Sequence, residues 1–316
     1  GGNTNDWSEW EKSEVRSKKL EKEGKNLDDY VCGSACKSYE LFREDIKCLK
    51  ELNCSAYRLG IEWARIEPEQ GKWNMKEIEH YRLILQELKK NNIKIALTLW
   101  HWTNPLWLAA ESGWADKKAV EYFSRYVKLI VGELGNYVDY WVIINEPMVY
   151  LANGYLIAKF PPAKKNIFAA WKVYNNLIKA HLVSYEIIHK NFLEAKVGLT
   201  MLTNFFEPAH KWNLAEIILA KLANYCWNDR FVKKLKNKFD FLGLDYYFHD
   251  RLVWYPPFKK NLNKKTTDMG WEIYPVGAYQ VLKNYKKFNK PLFIMENGLA
   301  DAGDKLRPDF IKDHLF

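Results

Sequence analysis

Apolar and polar positions fall into alternating blocks along the chain. Short, nearly unbroken apolar runs occupy residues 56–62 (AYRLGIE), 94–100 (KIALTLW), 140–145 (YWVIIN), 196–202 (KVGLTML), 239–246 (FDFLGLDY) and 291–296 (PLFIME). Such runs are expected of strands covered on both faces. Between them, apolar residues recur at helical spacing over residues 37–52, 76–91, 117–132, 168–192 and 275–288. Strands alternating with longer helices give βαβ units and a parallel sheet, so the class is α/β. No low-complexity linker or break in composition divides the chain, and a single domain over residues 1–316 is expected.

Composition adds two points to this picture. The hydrophobic share of 48% supplies a core, and the chain is rich in aromatics, with 14 Trp, 19 Tyr and 16 Phe. Aromatic faces stack on sugar rings as readily as they fill cores, so this excess permits a carbohydrate ligand without requiring one. The net charge of +9 raises the question of nucleic acid. The lysines, however, are spread over amphipathic helices, as in KKLKNK at 233–238, and solvated helix faces explain them better than a binding patch. The five cysteines form an odd set without a CxxC pair. Reduced thiols are therefore expected, and with them the cytoplasm. No apolar run has membrane-spanning length, so neither a membrane nor nucleic acid is expected as a partner.

The polar residues at the strand ends carry the chemistry. His101 between two tryptophans, Asn145-Glu146-Pro147, Tyr246-Tyr247 and Glu296-Asn297-Gly298 all stand where an apolar run stops. In parallel α/β folds those ends form the functional face. Cleaving a glycosidic bond needs a proton for the leaving oxygen and a nucleophile or activated water at the anomeric carbon, and two carboxyl groups supply both. Glu146 and Glu296 are the candidates. Each neighbour also has a structural reading: Arg58 as an ion-pair partner of Glu62, His101 as a satisfied core histidine, Trp107 and Trp114 as packing. Tyr246 should point away from the face that Tyr247 serves, because side chains alternate along a strand.

The motifs resemble glycoside hydrolase family 1, the β-glucosidase and β-galactosidase family. INEP at 144–147, followed by GYLIAKFPP at 154–162, resembles its acid/base motif, and FIMENG at 293–298 its nucleophile motif. DFLGLDYY at 240–247, LTLWHWTNPLWL at 97–108 and YRLGIEWARIEP at 57–68 are similar to three further strand motifs, in order. The tail from Glu296 onward looks like that of archaeal-type members. The resemblance implies a TIM (β/α)8-type barrel and a retaining β-glycosidase acting on terminal β-linked sugars by double displacement. Glu296 would be the nucleophile and Glu146 the acid/base. Arg58 would lie beside Glu296 and keep it ionised, and Tyr247 would donate a hydrogen bond to it. His101, Trp102, Asn145, Asp245 and Trp271 would bind substrate, with no metal and no organic cofactor.

Two departures qualify the resemblance. Family members begin with a strand before the glycine pair seen here at Gly1-Gly2 and continue past His314 into an eighth strand, so six core strands are recognisable and the barrel is expected to be incomplete. A second copy could cover its exposed edges as a homo-oligomer. Asp245 stands where the motif usually has Asn, adding negative charge near Tyr247. The alternative to an enzyme is a catalytically impaired sugar-binding or scaffold protein of the same fold.

Overall fold

The computed structural model describes residues 4–315, so the glycine pair at which the resemblance begins lies outside the described residues. The chain divides into two compact units, Gly1–Val197 and Gly198–Phe316. The first contains helices α1 (Asp6–Glu11), α2 (Glu14–Lys22) and α3 (Ser38–Glu51), strand β1 (Ala56–Gly60), then α4 (Trp63–Ile66) and α5 (Met75–Lys90). It continues with β2 (Lys94–Trp100), α6 (Leu106–Ala110), α7 (Lys118–Leu134), β3 (Tyr140–Asn145), α8 (Pro147–Leu151) and α9 (Ile167–Asn191). β1 pairs parallel to β2, and β2 parallel to β3. Parallel neighbours need a crossover, and α5 and α7 supply the two.

These helices form because their apolar residues share one side. α7 buries Ala119, Tyr122, Phe123, Tyr126, Val127, Ile130, Val131 and Leu134, a stripe repeating every three or four residues. It packs against α9, which starts at an N-cap where Asn166 accepts the Ala169 N–H at 3.0 Å. Behind β2 the core is aromatic: Trp63, Trp100, Trp114 and Trp141 are all fully buried. Trp63 stacks on Tyr126 at 5.2 Å, and Trp114 meets Trp100 edge-on at 5.1 Å. Part of the aromatic excess is therefore core, and Trp114 is packing, as the sequence suggested.

The second unit holds β4 (Lys196–Pro208), α10 (Leu214–Ala223), α11 (Arg230–Lys234), β5 (Phe241–Leu252), α12 (Pro275–Tyr285), β6 (Leu292–Asn297) and α13 (Arg307–Leu315). β4, β5 and β6 are parallel in that order. Gly243 on β5 has a packing reason: a Cβ there would meet the Thr200 methyl at 2.6 Å and Met295 at 2.7 Å. The five cysteines are free thiols.

Three expectations need correction. Coverage on both faces holds for β2 and β3 but not for β1 and β6, which are largely half-exposed. Among the described residues β1 pairs only with β2 and β6 only with β5. The first strand also stops at Gly60, and Glu62 caps α4 instead of extending the strand. β5 runs six residues past the expected end, to Leu252, in register with an equally extended β4. Tyr246 and Tyr247 therefore lie inside the strand, not at its tip. Residues 249–251 (HDR) read as a polar turn because their partners are distant in sequence: Arg251 pairs with Glu207 at 2.8 Å, and Asp250 accepts from Asn204 at 2.6 Å.

Candidate active site

In the first unit the candidates form one hydrogen-bonded chain across three strands. Arg58 on β1 donates from Nε to the Thr98 hydroxyl on β2 at 3.1 Å, and from Nη2 to Asn145 Oδ1 at the end of β3. Only a long forked cation reaches both neighbours at once. Since Asn145 accepts on its oxygen, its amide nitrogen faces His101 Nε2, 3.0 Å away. That network makes Nε2 an acceptor and places the ring proton of neutral His101 on Nδ1. The Trp102 indole N–H donates to the Asn145 carbonyl at 3.0 Å, which ties the loop after β2 to the end of β3. Glu62 turns elsewhere, accepting the Thr103 hydroxyl at 2.9 Å on both oxygens, and its burial raises its pKa.

Glu146 is held by the backbone. It is buried, follows the last residue of β3, and adopts φ 42°, ψ 61°, the left-handed region that a side chain with a Cβ rarely enters. Pro147 then opens α8 at a position where a missing N–H costs nothing. Trp102, with φ 74°, is a second such residue. Backbone strain of this kind gathers at ligand and catalytic sites and persists only where the surroundings enforce it.

Two supports in this unit carried no motif signal. Asp6 on α1 accepts the Asn104 backbone N–H at 2.8 Å and its side-chain amide at 2.7 Å. Asn104 Oδ1 in turn accepts the indole N–H groups of Trp100 and Trp114, each at 3.1 Å. The loop bearing His101 and Trp102 is thereby pinned from both sides. Burial outweighs these hydrogen bonds for Asp6 and pushes its pKa up to about 7. Trp7 stacks on Trp102 at 6.1 Å.

In the second unit Glu296 is half-buried on β6, and the Tyr247 hydroxyl donates to its Oε2 at 2.7 Å. Tyr246 points away, its hydroxyl donating to the Tyr274 carbonyl at 2.7 Å. Gly277 makes room for that contact, since a Cβ there would stand 1.9 Å from the Tyr246 oxygen. Asp245 is fully buried and in register with Glu296 on the neighbouring strand, which sets two carboxyl groups side by side. Trp271 packs against Phe248 at 4.7 Å and Tyr247 at 6.2 Å.

The residue after Trp271 anchors that segment. Glu272, almost completely buried, accepts from Arg251 Nη1 at 2.7 and 2.9 Å and from the Leu262 N–H at 2.7 Å. His249 lies beside it, with Nε2 2.8 Å from the carboxylate and its ring stacked on Tyr274 at 3.8 Å. Burial, then the charges of Arg251 and Lys259, lower the His249 pKa to about 3, so the ring is neutral near pH 7. Arg251 bridges Glu207 and Glu272, at 2.8 and 2.7 Å. Nothing in the local sequence joins these four residues, since Glu207 and Glu272 are far apart in the chain.

Comparison with known proteins agrees with this geometry. The family model described as Glycosyl hydrolase family 1 matches residues 7–233. A 1,4-beta-D-glucan glucohydrolase of Thermotoga neapolitana is 30% identical, over 89% of this chain and 77% of the relative. Among solved structures, a beta-glycosidase from Pyrococcus horikoshii is similar with a TM-score of 0.85 and 32% identity, over 98% of this chain and 75% of the other. A family 1 β-glucosidase from Thermotoga maritima gives 0.88 and 26%, over 100% and 79%. The fold is accordingly of the TIM (β/α)8 type, with three parallel strands in each unit among the described residues.

Proposed function

The chain belongs to glycosyl hydrolase family 1, and from that premise we propose that it is a retaining β-glycosidase with β-glucosidase-type activity on terminal β-linked sugars. Glu296 attacks the anomeric carbon and forms a glycosyl ester while Glu146 protonates the leaving oxygen. Glu146 then takes a proton from water, which displaces Glu296 and releases the sugar. The observation that carries this reading is the Tyr247 hydroxyl on Glu296 at 2.7 Å. A donor aimed at one carboxylate oxygen helps fix the orientation of the group that is to attack. The chemistry is nucleophilic and acid–base, and it calls for neither metal nor organic cofactor.

The remaining candidates take supporting roles in the same proposal. Asn145, oriented by Arg58 and His101, offers its amide to a sugar hydroxyl next to the reacting carbon, where hydrogen bonds tighten in the transition state. Trp102 and Trp271 give flat apolar faces, and Asp245 gives an acceptor. The test is Glu296→Gly assayed on an aryl β-glucoside. Turnover should fall by at least about 10³-fold, and external azide should restore part of it by occupying the vacated space. Unchanged turnover would overturn the assignment. A folded wild-type protein with no turnover would favour the sugar-binding alternative.

A further inference from the structure

The outer face of α10 is apolar and uncovered. Trp212, just before the helix, is 95% exposed, followed by Leu214 at 74%, Ile218 at 65% and then Leu222 on successive turns. This face does not come from a poorly formed helix. Asn213 caps it by accepting from the N–H groups of Ala215 and Glu216, and Ala220 on the opposite side is buried. The charged residues beside the stripe are Lys211 and Lys221. The helix's one acid, Glu216, is turned inward, where it accepts from the His210 backbone at 2.7 Å.

A second exposed segment of the same character adjoins it. The Ala209 N–H donates to the Leu252 carbonyl at 2.9 Å, so the chain leaving β5 starts beside the segment that leads into α10. There Trp254, Tyr255, Phe258 and Leu262 are exposed, followed or interleaved by Lys259, Lys260, Lys264 and Lys265. No acidic residue occurs between Arg251 and Asp268. A monomer rarely shows so much contiguous apolar surface without a use for it.

We infer that this face docks on an anionic lipid surface, with α10 lying in the plane of the interface. Tryptophan and tyrosine favour the headgroup level, where one side of the ring is apolar and the other wet. Lysine stems bury along apolar surface while their ammonium groups reach anionic headgroups. A second copy fits less well: Lys259 and Lys265 already pair with Asp250 and Asp309, and a two-fold contact would set the other lysines of the face against their own images. The exposed groups of the helix face are predominantly apolar, which disfavours nucleic acid. None of the described helices is long and apolar enough to cross a membrane, but an interfacial helix needs no such length.

The test is co-sedimentation of the whole protein with phosphatidylcholine vesicles, with and without phosphatidylglycerol. The wild type should bind the anionic vesicles and release as salt is added. Trp212→Ser combined with Ile218→Ser should bind at least tenfold more weakly while melting at the same temperature, since both side chains are exposed. Failure of the wild type to bind would overturn the inference, as would equal binding by the variant. So would a wild-type dimer that the variant dissolves, without any vesicle binding. The readout is partition, so it stands or falls separately from catalysis.

Discussion

The strands leading to the two glutamates read almost alike, YWVIIN and LFIMEN, yet the protein treats them differently. β3 is buried along nearly its whole length, and Glu146 follows it in a left-handed conformation imposed by the chain. β6 is half-exposed, and Glu296 follows a register shift against β5, with the Tyr247 hydroxyl donating to it. The backbone turns into the left-handed region at Glu146, while Glu296 lies on a half-exposed strand and accepts from Tyr247. A similar apolar pattern therefore does not imply similar support: what a strand packs against decides how its last residue is held.

The largest expected effect tests the difference in support directly. Ile143 on β3 is fully buried and Ile294 on β6 is 49% exposed. Ile143→Ala should cost about 3 kcal/mol in urea unfolding, and Ile294→Ala less than ~1 kcal/mol. Equal losses would remove the contrast. Next, Tyr247→Phe deletes the hydroxyl that donates to Glu296 Oε2. Activity on an aryl β-glucoside should drop roughly ten- to a hundredfold, equivalent to ~1.4–2.7 kcal/mol in the barrier, with the melting temperature unmoved. A fully active Tyr247→Phe protein would mean that this hydroxyl does not set the position of Glu296.

At Glu146 the conformation itself can be read out. Both Glu146→Gly and Glu146→Ala should be inactive on poor leaving groups. The glycine form should be the more stable by about 1 kcal/mol, because only the alanine Cβ is strained at φ 42°. Equal stability would show that the backbone there is under no strain. The smallest effect concerns Asp6, which pins the loop bearing His101. Its pKa is raised to about 7 in the folded protein, above its ordinary value. Its stabilising contribution is thus full below the unfolded carboxylate pKa near 4 and is lost as pH rises toward 7. The melting temperature should fall by roughly a few degrees over that range, and Asp6→Asn should flatten the slope.

Much of this was legible in the chain itself. Apolar runs bounded by polar residues located all six strands, with β2 and β3 placed to the residue, because buried parallel strands leave an unbroken apolar signature. Glu146 and Glu296 stood out through short motifs at strand ends, and Arg58 and Tyr247 through the family resemblance. The extension of β5 was not legible: His249, Asp250 and Arg251 are polar, and their partners Glu272, Asn204 and Glu207 come from distant parts of the chain. Asp6 and Trp7 were missed for a related reason, as each acts on a loop about a hundred residues away. The half-exposure of β1 and β6 has no sequence signal either, since an apolar run reads the same whether one face or two are covered.

The central claim is double displacement through Glu296, and the configuration of the first-formed product tests it most directly. Proton NMR of early turnover of an aryl β-glucoside should show β-glucose appearing first and the α-anomer growing in later by mutarotation. Initial release of α-glucose would mean that water, not Glu296, attacks the sugar, and would contradict the account.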